Sequence, residues 1–112
     1  MASIIDLEVQ QPYFDAIKAG SKIIEGRLAK QKYLDLKVGD AIRFTTPSRA
    51  ISVTKTVVKV YYYPTFEAAF KEQDFTHAIP GAHTAEDAVK VYERFYSRQL
   101  QEEVGVVFIE LQ

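Results

Sequence analysis

The chain of 112 residues has no cysteine, no tryptophan and only two histidines, His77 and His83. Without cysteine it has no disulfides, no thiolate metal ligands and no cysteine nucleophile. Two histidines are too few for a zinc site unless carboxylates complete it. The composition therefore predicts a protein without a metal site, and no motif in the sequence indicates any other cofactor.

Long apolar runs and an excess of positive charge are also lacking. No apolar stretch approaches the ~18 residues of a membrane-spanning helix, and the first residues lack the basic and apolar regions of a signal peptide. These absences predict a cytoplasmic protein without a membrane partner. Fourteen basic and fifteen acidic residues give a net charge of -1. This balance excludes a strongly basic nucleic-acid-binding surface, although not a small basic pocket.

The residues that are present indicate one globular domain spanning positions 1–112. Hydrophobic residues make up 47% and charged residues 26% of the chain, which is typical of globular proteins. Local patterns predict the order β-α-β-(short α)-β-β-α-α-β, hence an α+β fold built on a small, mostly antiparallel barrel with flanking helices. The predicted helices include 11–19 and 85–96, the strands include 22–28, 41–45 and a central, bent 51–63, and 75–82 is predicted as a loop.

The segment from Gly20 to Arg27 combines charged and β-branched residues in an unusual way. Burying charges in such an apolar run is costly unless they pair or meet a ligand. On a regular strand Glu25 and Arg27 share one face. Lys22 faces the other side, unless the chain is still entering the strand there, and Gly26 indicates a bulge or a close backbone approach. The pattern fits either a rim that binds phosphate or a polar base, or a solvent-facing ladder of ion pairs.

Five features, in order along nearly the whole chain, belong together. They are the G-x-K-x-x-E-x-R motif of Gly20, Lys22, Glu25 and Arg27, the turn Val38-Gly39-Asp40, the passage Tyr63-Pro64-Thr65-Phe66-Glu67, the segments Ile79-Pro80-Gly81 and 92–97, and the last strand at 105–109. This combination resembles the ASCH domain, a relative of the PUA-like RNA-binding folds. The resemblance implies a PUA-like β-barrel with a cleft between barrel and helices, and an RNA or nucleotide-like ligand.

The resemblance also suggests roles for individual residues. Lys22 and Arg27 are expected to contact phosphate, with Tyr96 and Ser97 at the edge of the cleft. Tyr96 and Ser97 are predicted to end a helix, where packing and capping are the alternative explanation of both residues. Glu25 is expected to orient Arg27 or to accept a hydrogen bond from a base amino group.

An alternative function is a hydrolase that acts on RNA or on a modified nucleoside. In this hypothesis Lys22 is the base, Glu25 relays protons, and Tyr96 completes the catalytic set. One ASCH-like branch, the acetylcytidine amidohydrolases, uses a Lys, a Thr and a Glu. Lys22 matches that Lys, but Glu25 stands where the Thr belongs, so the triad does not carry over. A third interpretation is a protein-interaction domain, and the oligomeric state is left open.

Overall fold

The computed structural model describes residues 2–112, which form five strands and six helices. In chain order these are β1 (Ile4–Glu8), α1 (Gln11–Ala19), β2 (Ile24–Leu28), α2 (Gln31–Leu34), β3 (Ala41–Thr45), β4 (Ser52–Tyr63), α3 (Phe66–Ala69), α4 (Phe75–Ala78), α5 (Ala85–Glu93), α6 (Arg98–Val104) and β5 (Val106–Leu111).

The strands form one sheet in the order β1-β3-β4-β5-β2, curled into a half-barrel with helices against it. The pair β1–β3 is parallel and the other three pairs are antiparallel. The long strand β4 pairs with β3 through residues 52–56 and with β5 through residues 57–63, with a register shift between Val57 and Lys59. The predicted α+β, mostly antiparallel barrel and its bent central strand are therefore confirmed.

Two hydrophobic clusters lie on opposite faces of β5. Val107 and Ile109 belong to the cluster that contains Phe14 and Ile17 of α1, whereas Val106 and Phe108 belong to the cluster beneath α3 and α5. Alternate side chains of a strand point to opposite faces, so a strand buried on both sides contributes to two cores. The second cluster forms one wall of the site described below.

The half-barrel is open between its edge strands, β1 and β2, and side chains span this opening. Nη2 of Arg27 on β2 donates to the carbonyl oxygen of Glu8 at 3.2 Å. Nζ of Lys32 on α2 donates to the carbonyl oxygen of Asp6 at 3.1 Å. Edge strands expose unpaired backbone groups, and these two cations satisfy acceptors on β1.

The helices after β4 differ from the predicted pattern. The predicted loop at 75–82 contains the short helix α4, whose start is capped by Asp74 through the backbone N–H of Thr76 at 2.9 Å. Helix α5 ends at Glu93 rather than at residue 96. Asp74 favours a helix start, but a single turn has too few apolar positions to show a helical period.

Helix α6 is absent from the prediction, and Ser97 begins this helix instead of ending the previous one. The hydroxyl oxygen of Ser97 accepts from the backbone N–H of Leu100 at 3.1 Å, as an N-cap does. Gln101 is the buried residue of α6. A helix that buries an amide instead of an apolar stripe gives almost no hydrophobic periodicity.

Gly26 allows aromatic rings of the second cluster to approach β2 closely. A Cβ atom at this position would lie 2.8 Å from Cε1 of Phe108, 3.0 Å from Cε1 of Phe66 and 3.0 Å from Cζ of Tyr92. All three rings are buried. The prediction of a close backbone approach at Gly26 is confirmed by this geometry, and the pairing of β2 with β5 runs through Gly26 without a bulge.

Replacing Gly26 by alanine is expected to lower the free energy of unfolding by about 1–3 kcal/mol, because the added methyl group overpacks a fixed aromatic cluster. Urea denaturation followed by circular dichroism measures this change. The same substitution in a Phe108→Leu background should cost less, because the smaller side chain makes room for the methyl group. An equal penalty in both backgrounds would contradict the steric explanation.

Candidate functional site

Lys22 owes its position to the way helix α1 ends. Gly20 has a left-handed backbone with φ 88°, and the carbonyl oxygen of Ala16 accepts from the three N–H groups of residues 20–22. Such a turn at glycine is a common helix ending. The strand predicted from residue 22 begins only at Ile24. Side-chain alternation therefore does not apply to Lys22, which lies on the same side as Glu25.

The ammonium group of Lys22 is buried, and the residue is 3% exposed. Its Nζ donates to the carbonyl oxygens of Ile24 at 2.6 Å and Ala78 at 2.7 Å, and lies 3.6 Å from Oε1 of Glu25. Burial lowers the pKa of the Lys22 amine from its ordinary value of 10.5; Glu25 opposes this shift and Arg27 adds to it. Lys22 is thus a fixed group that joins β2 to the end of α4.

Glu25 lies between two basic side chains and is 5% exposed. Its Oε2 is 3.5 Å from Nη2 of Arg27 and has no hydrogen-bond partner among the described residues. The Arg27 side chain is 21% exposed. Burial opposes the charged form of Arg27, but attraction to Glu25 raises the pKa of Arg27 above its ordinary value.

The three residues form a buried charged cluster, defined as Lys22, Glu25 and Arg27. With all three ionised the cluster carries one net positive charge. The desolvation of buried ions offsets much of their attraction, so such a cluster is weak evidence for stability. The burial of Lys22 and Glu25 also shows that a solvent-facing ladder is wrong. An anionic or polar ligand with a donor for Glu25 would complement this arrangement.

The charged cluster lines a cavity of about 170 Å³ between the sheet and the helices. Four aromatic residues line other parts of the cavity, and together they are called the aromatic wall: Tyr13, Tyr92, Phe95 and Tyr96. The volume is close to that of an engineered cavity of roughly 150 Å³ that binds benzene. The cavity can therefore take one planar ring, with polar groups of the ring directed toward the charged cluster.

The aromatic wall extends to the surface at Phe95 and Tyr96. Phe95 is 53% exposed, and its ring centroid lies 6.4 Å from that of Tyr96. Tyr96 in turn lies almost parallel to Phe66, with centroids 5.8 Å apart. The buried amide of Gln101 fixes this wall, because it donates to the carbonyl oxygen of Tyr96 and accepts from the backbone N–H of Phe66, both at 3.0 Å.

Four of the five residues predicted for the site line the same cavity: Lys22, Glu25, Arg27 and Tyr96. The fifth, Ser97, is exposed, lies outside the cavity lining and caps α6.

The aromatic residues Tyr92 and Phe95 were missed as site residues, because their spacing within the predicted helix 85–96 is that of an apolar helix face. The sequence does contain one signal for Tyr92. A tyrosine in an apolar helix face indicates a polar contact, because its hydroxyl group needs a hydrogen-bond partner when it is buried.

Comparison with known proteins assigns the family. The ASCH domain model matches residues 7–112. The chain belongs to the ASCH domain family. The resemblance predicted from the five ordered sequence features is therefore confirmed. A comparison with curated proteins found no match.

Solved structures agree with the ASCH assignment. The crystal structure of the hypothetical protein PH0355 is similar, with 32% identity, 97% coverage of each chain and a TM-score of 0.87. The solution structure of protein PF0455 from Pyrococcus furiosus has 27% identity and a TM-score of 0.72 over 100% of this chain and 96% of that one. The crystal structure of an ASCH protein from Zymomonas mobilis shares the fold alone, with 11% identity and a TM-score of 0.66. The match covers 96% of this chain and 65% of that one.

Within residues 2–112, no helix has the length and apolar character needed to cross a bilayer. The same part of the chain holds no group of three or more acidic or histidine residues arranged to bind a metal ion. The charged cluster, with a single carboxylate between two cations, is likewise a poor metal site.

The Lys22 amine of the folded ASCH domain is expected to lose its proton below pH 10.5, because burial disfavours the charged form. A titration of the Lys22 Cε resonance by NMR measures this midpoint.

The lowered pKa of Lys22 also makes the stability of the domain depend on pH. Between the lowered pKa of the folded state and the unfolded value of about 10.4, the unfolded state binds more protons than the folded state. Stability should therefore rise with pH in this window.

The control is Lys22→Met, which lacks the titrating group. The free energy of unfolding of the wild type minus that of this variant should increase as the pH rises through the window. A wild-type midpoint at or above 10.5 would show that pairing with Glu25 outweighs burial.

Proposed function

We propose that this ASCH domain binds single-stranded RNA and holds one unstacked base in the cavity beside the charged cluster. The observation that carries the proposal is the buried carboxylate of Glu25, a residue that lines a cavity of ring size. Its Oε2 has an ion-pair contact with Arg27 at 3.5 Å but no hydrogen-bond partner among the described residues. Protein recognition of RNA sequence commonly uses unstacked bases, which stack on aromatic side chains and hydrogen-bond at their edges.

Each part of the cavity has a role in this proposal. Glu25 accepts a hydrogen bond from an amino or imino group of the base, because a carboxylate is an acceptor only. Arg27 is the more exposed cation and retains donors beyond those directed at Glu25 and Glu8, so it contacts the RNA phosphate. Phe95 at the surface offers a face on which the next base stacks.

Lys22 and Ser97 have supporting roles. Two of the three Lys22 protons are directed to backbone carbonyls, so Lys22 contributes mainly a fixed positive charge to the cavity. Ser97 directly follows Tyr96, and its oxygen accepts from Leu100, which leaves the hydroxyl proton for a phosphate outside the cavity.

The hydrolase alternative has weaker support. The lowered pKa of Lys22 favours a role as base, with Glu25 and Tyr96 nearby in the cavity wall. That wall, however, includes no serine, threonine, cysteine or histidine among the described residues. Lys22 is also committed to two carbonyl acceptors. Catalytic roles for Lys22, Glu25 and Tyr96 therefore stay predictions, and binding is the function that we advance.

Fluorescence polarisation with a labelled, mixed-sequence single-stranded RNA tests the proposal. Arg27→Gln is expected to weaken binding by roughly tenfold or more, the effect of losing a charged hydrogen bond. It should also reduce the slope of log K against log salt by about 0.7, the value for one contact to single-stranded phosphate. Arg27→Lys keeps the charge and should retain the slope.

Lys71→Gln is the charge-matched control, because Lys71 is exposed and lies outside the cavity wall. It should leave both affinity and slope close to those of the wild type. Thermal melts of every variant establish that the domain remains folded. Equal losses in Lys71→Gln and Arg27→Gln, or no binding by the wild type, would contradict an RNA site at this cavity.

A further inference from the structure

The ring of Tyr92 on α5 is held in one place by its neighbours. It stacks on Phe66 with centroids 4.1 Å apart and planes 4° apart, and it lies 6.3 Å from Phe108. Tyr92 is 5% exposed. Because the ring packs among buried aromatic side chains, the position of its hydroxyl group is fixed before any ligand binds.

Gly26 brings the hydroxyl end of Tyr92 against β2. The atom that carries the hydroxyl, Cζ, would lie 3.0 Å from a Cβ at position 26. Gly26 lies between Glu25 and Arg27 in the chain. These three residues and Tyr92 all line the cavity. Because glycine has no side chain, the phenol ring of Tyr92 can approach β2, and its hydroxyl lies beside the charged cluster.

Two buried side-chain polar atoms in residues 2–112 have no hydrogen-bond partner: Oε2 of Glu25 and the hydroxyl of Tyr92. Leaving such a group unpaired has a substantial free-energy cost, and buried polar groups of native proteins are rarely left so. Both belong to residues that line the same cavity. A ligand bound in this cavity could supply both missing partners.

We propose that Tyr92 is a ligand-contacting residue whose hydroxyl acts together with Oε2 of Glu25 to read the hydrogen-bonding edge of the base. This assignment rests on the RNA-binding function proposed above. Glu25 requires a donor on the ligand, and the hydroxyl of Tyr92 donates to an adjacent acceptor. The ligand edge is therefore a donor beside an acceptor, as on the planar amide or amidine edges of nucleobases.

The protonation state of Tyr92 suits this role. Burial, and after it the charge of Glu25, raise the pKa of the Tyr92 hydroxyl well above its ordinary value of 10, while the nearby backbone N–H of Gly26 acts more weakly in the opposite direction. The hydroxyl consequently keeps its proton throughout the neutral range and remains a donor.

Tyr92→Phe removes the hydroxyl and leaves the ring stacking in place. It is expected to raise the melting temperature, because an unpaired polar group leaves the protein interior. It should also weaken binding of the labelled single-stranded RNA by about tenfold. Opposite effects on stability and affinity distinguish a ligand contact from a structural group.

Tyr63→Phe is the matched control. The hydroxyl of Tyr63 accepts from Nε2 of Gln73 at 2.7 Å, and Tyr63 does not line the cavity. This variant should lower the melting temperature and leave RNA affinity unchanged, which is the reverse of the Tyr92→Phe result.

The outcomes separate the two proposals. Wild-type affinity in Tyr92→Phe, with binding still sensitive to Arg27→Gln, overturns the assignment of Tyr92 and leaves the RNA site intact. A lowered melting temperature in Tyr92→Phe also overturns it, since the hydroxyl would then have a partner within the protein. If the wild type binds no RNA, the proposed function falls, and the assignment of Tyr92 falls with it.

Discussion

The candidate site depends on the hydrogen bonds of one buried ammonium group. Lys22 follows the end of α1 and donates to the carbonyl oxygens of Ile24, at the start of β2, and Ala78, at the end of α4. The end of α1, the start of β2 and the end of α4 are therefore joined through one nitrogen atom. The same nitrogen lies 3.6 Å from Glu25, so the contact that joins these elements also fixes the charge arrangement of the cavity.

The cavity combines features that oppose stability in the free protein. Ions are desolvated in the charged cluster, and two polar atoms of the described residues, Oε2 of Glu25 and the hydroxyl of Tyr92, have no hydrogen-bond partner. The two hydrophobic clusters, the second of which contains the buried aromatic rings beside Gly26, compensate by burying large side chains. Functional sites often contain residues that lower the stability of the fold. We therefore assign a function to the residues of this cavity and not to the exposed ion pairs that Arg98 forms.

Local signals predicted the exact bounds of two elements, α1 and β3. Pro12 and Gly20 mark the first turn and the end of α1, and the helix spans Gln11–Ala19 as predicted. The strand Ala41–Thr45 was likewise predicted correctly. Helix α6 was missed because its buried residue is Gln101, an amide held by the carbonyl oxygen of Tyr96 and by the distant backbone N–H of Phe66. A hydrogen bond between residues 35 positions apart leaves no periodic pattern in the sequence.

The sequence by itself determined the α+β class, the bent central strand, the ASCH family and four residues of the cavity wall, because these follow from short-range patterns and a motif. Only the tertiary structure decided that Lys22 and Glu25 share a side, since that depends on how the chain leaves Gly20 and on a carbonyl 56 residues away. It also decided that the hydroxyl of Tyr92 reaches the cavity, because stacking on Phe66 and the space above Gly26 set the direction of that ring.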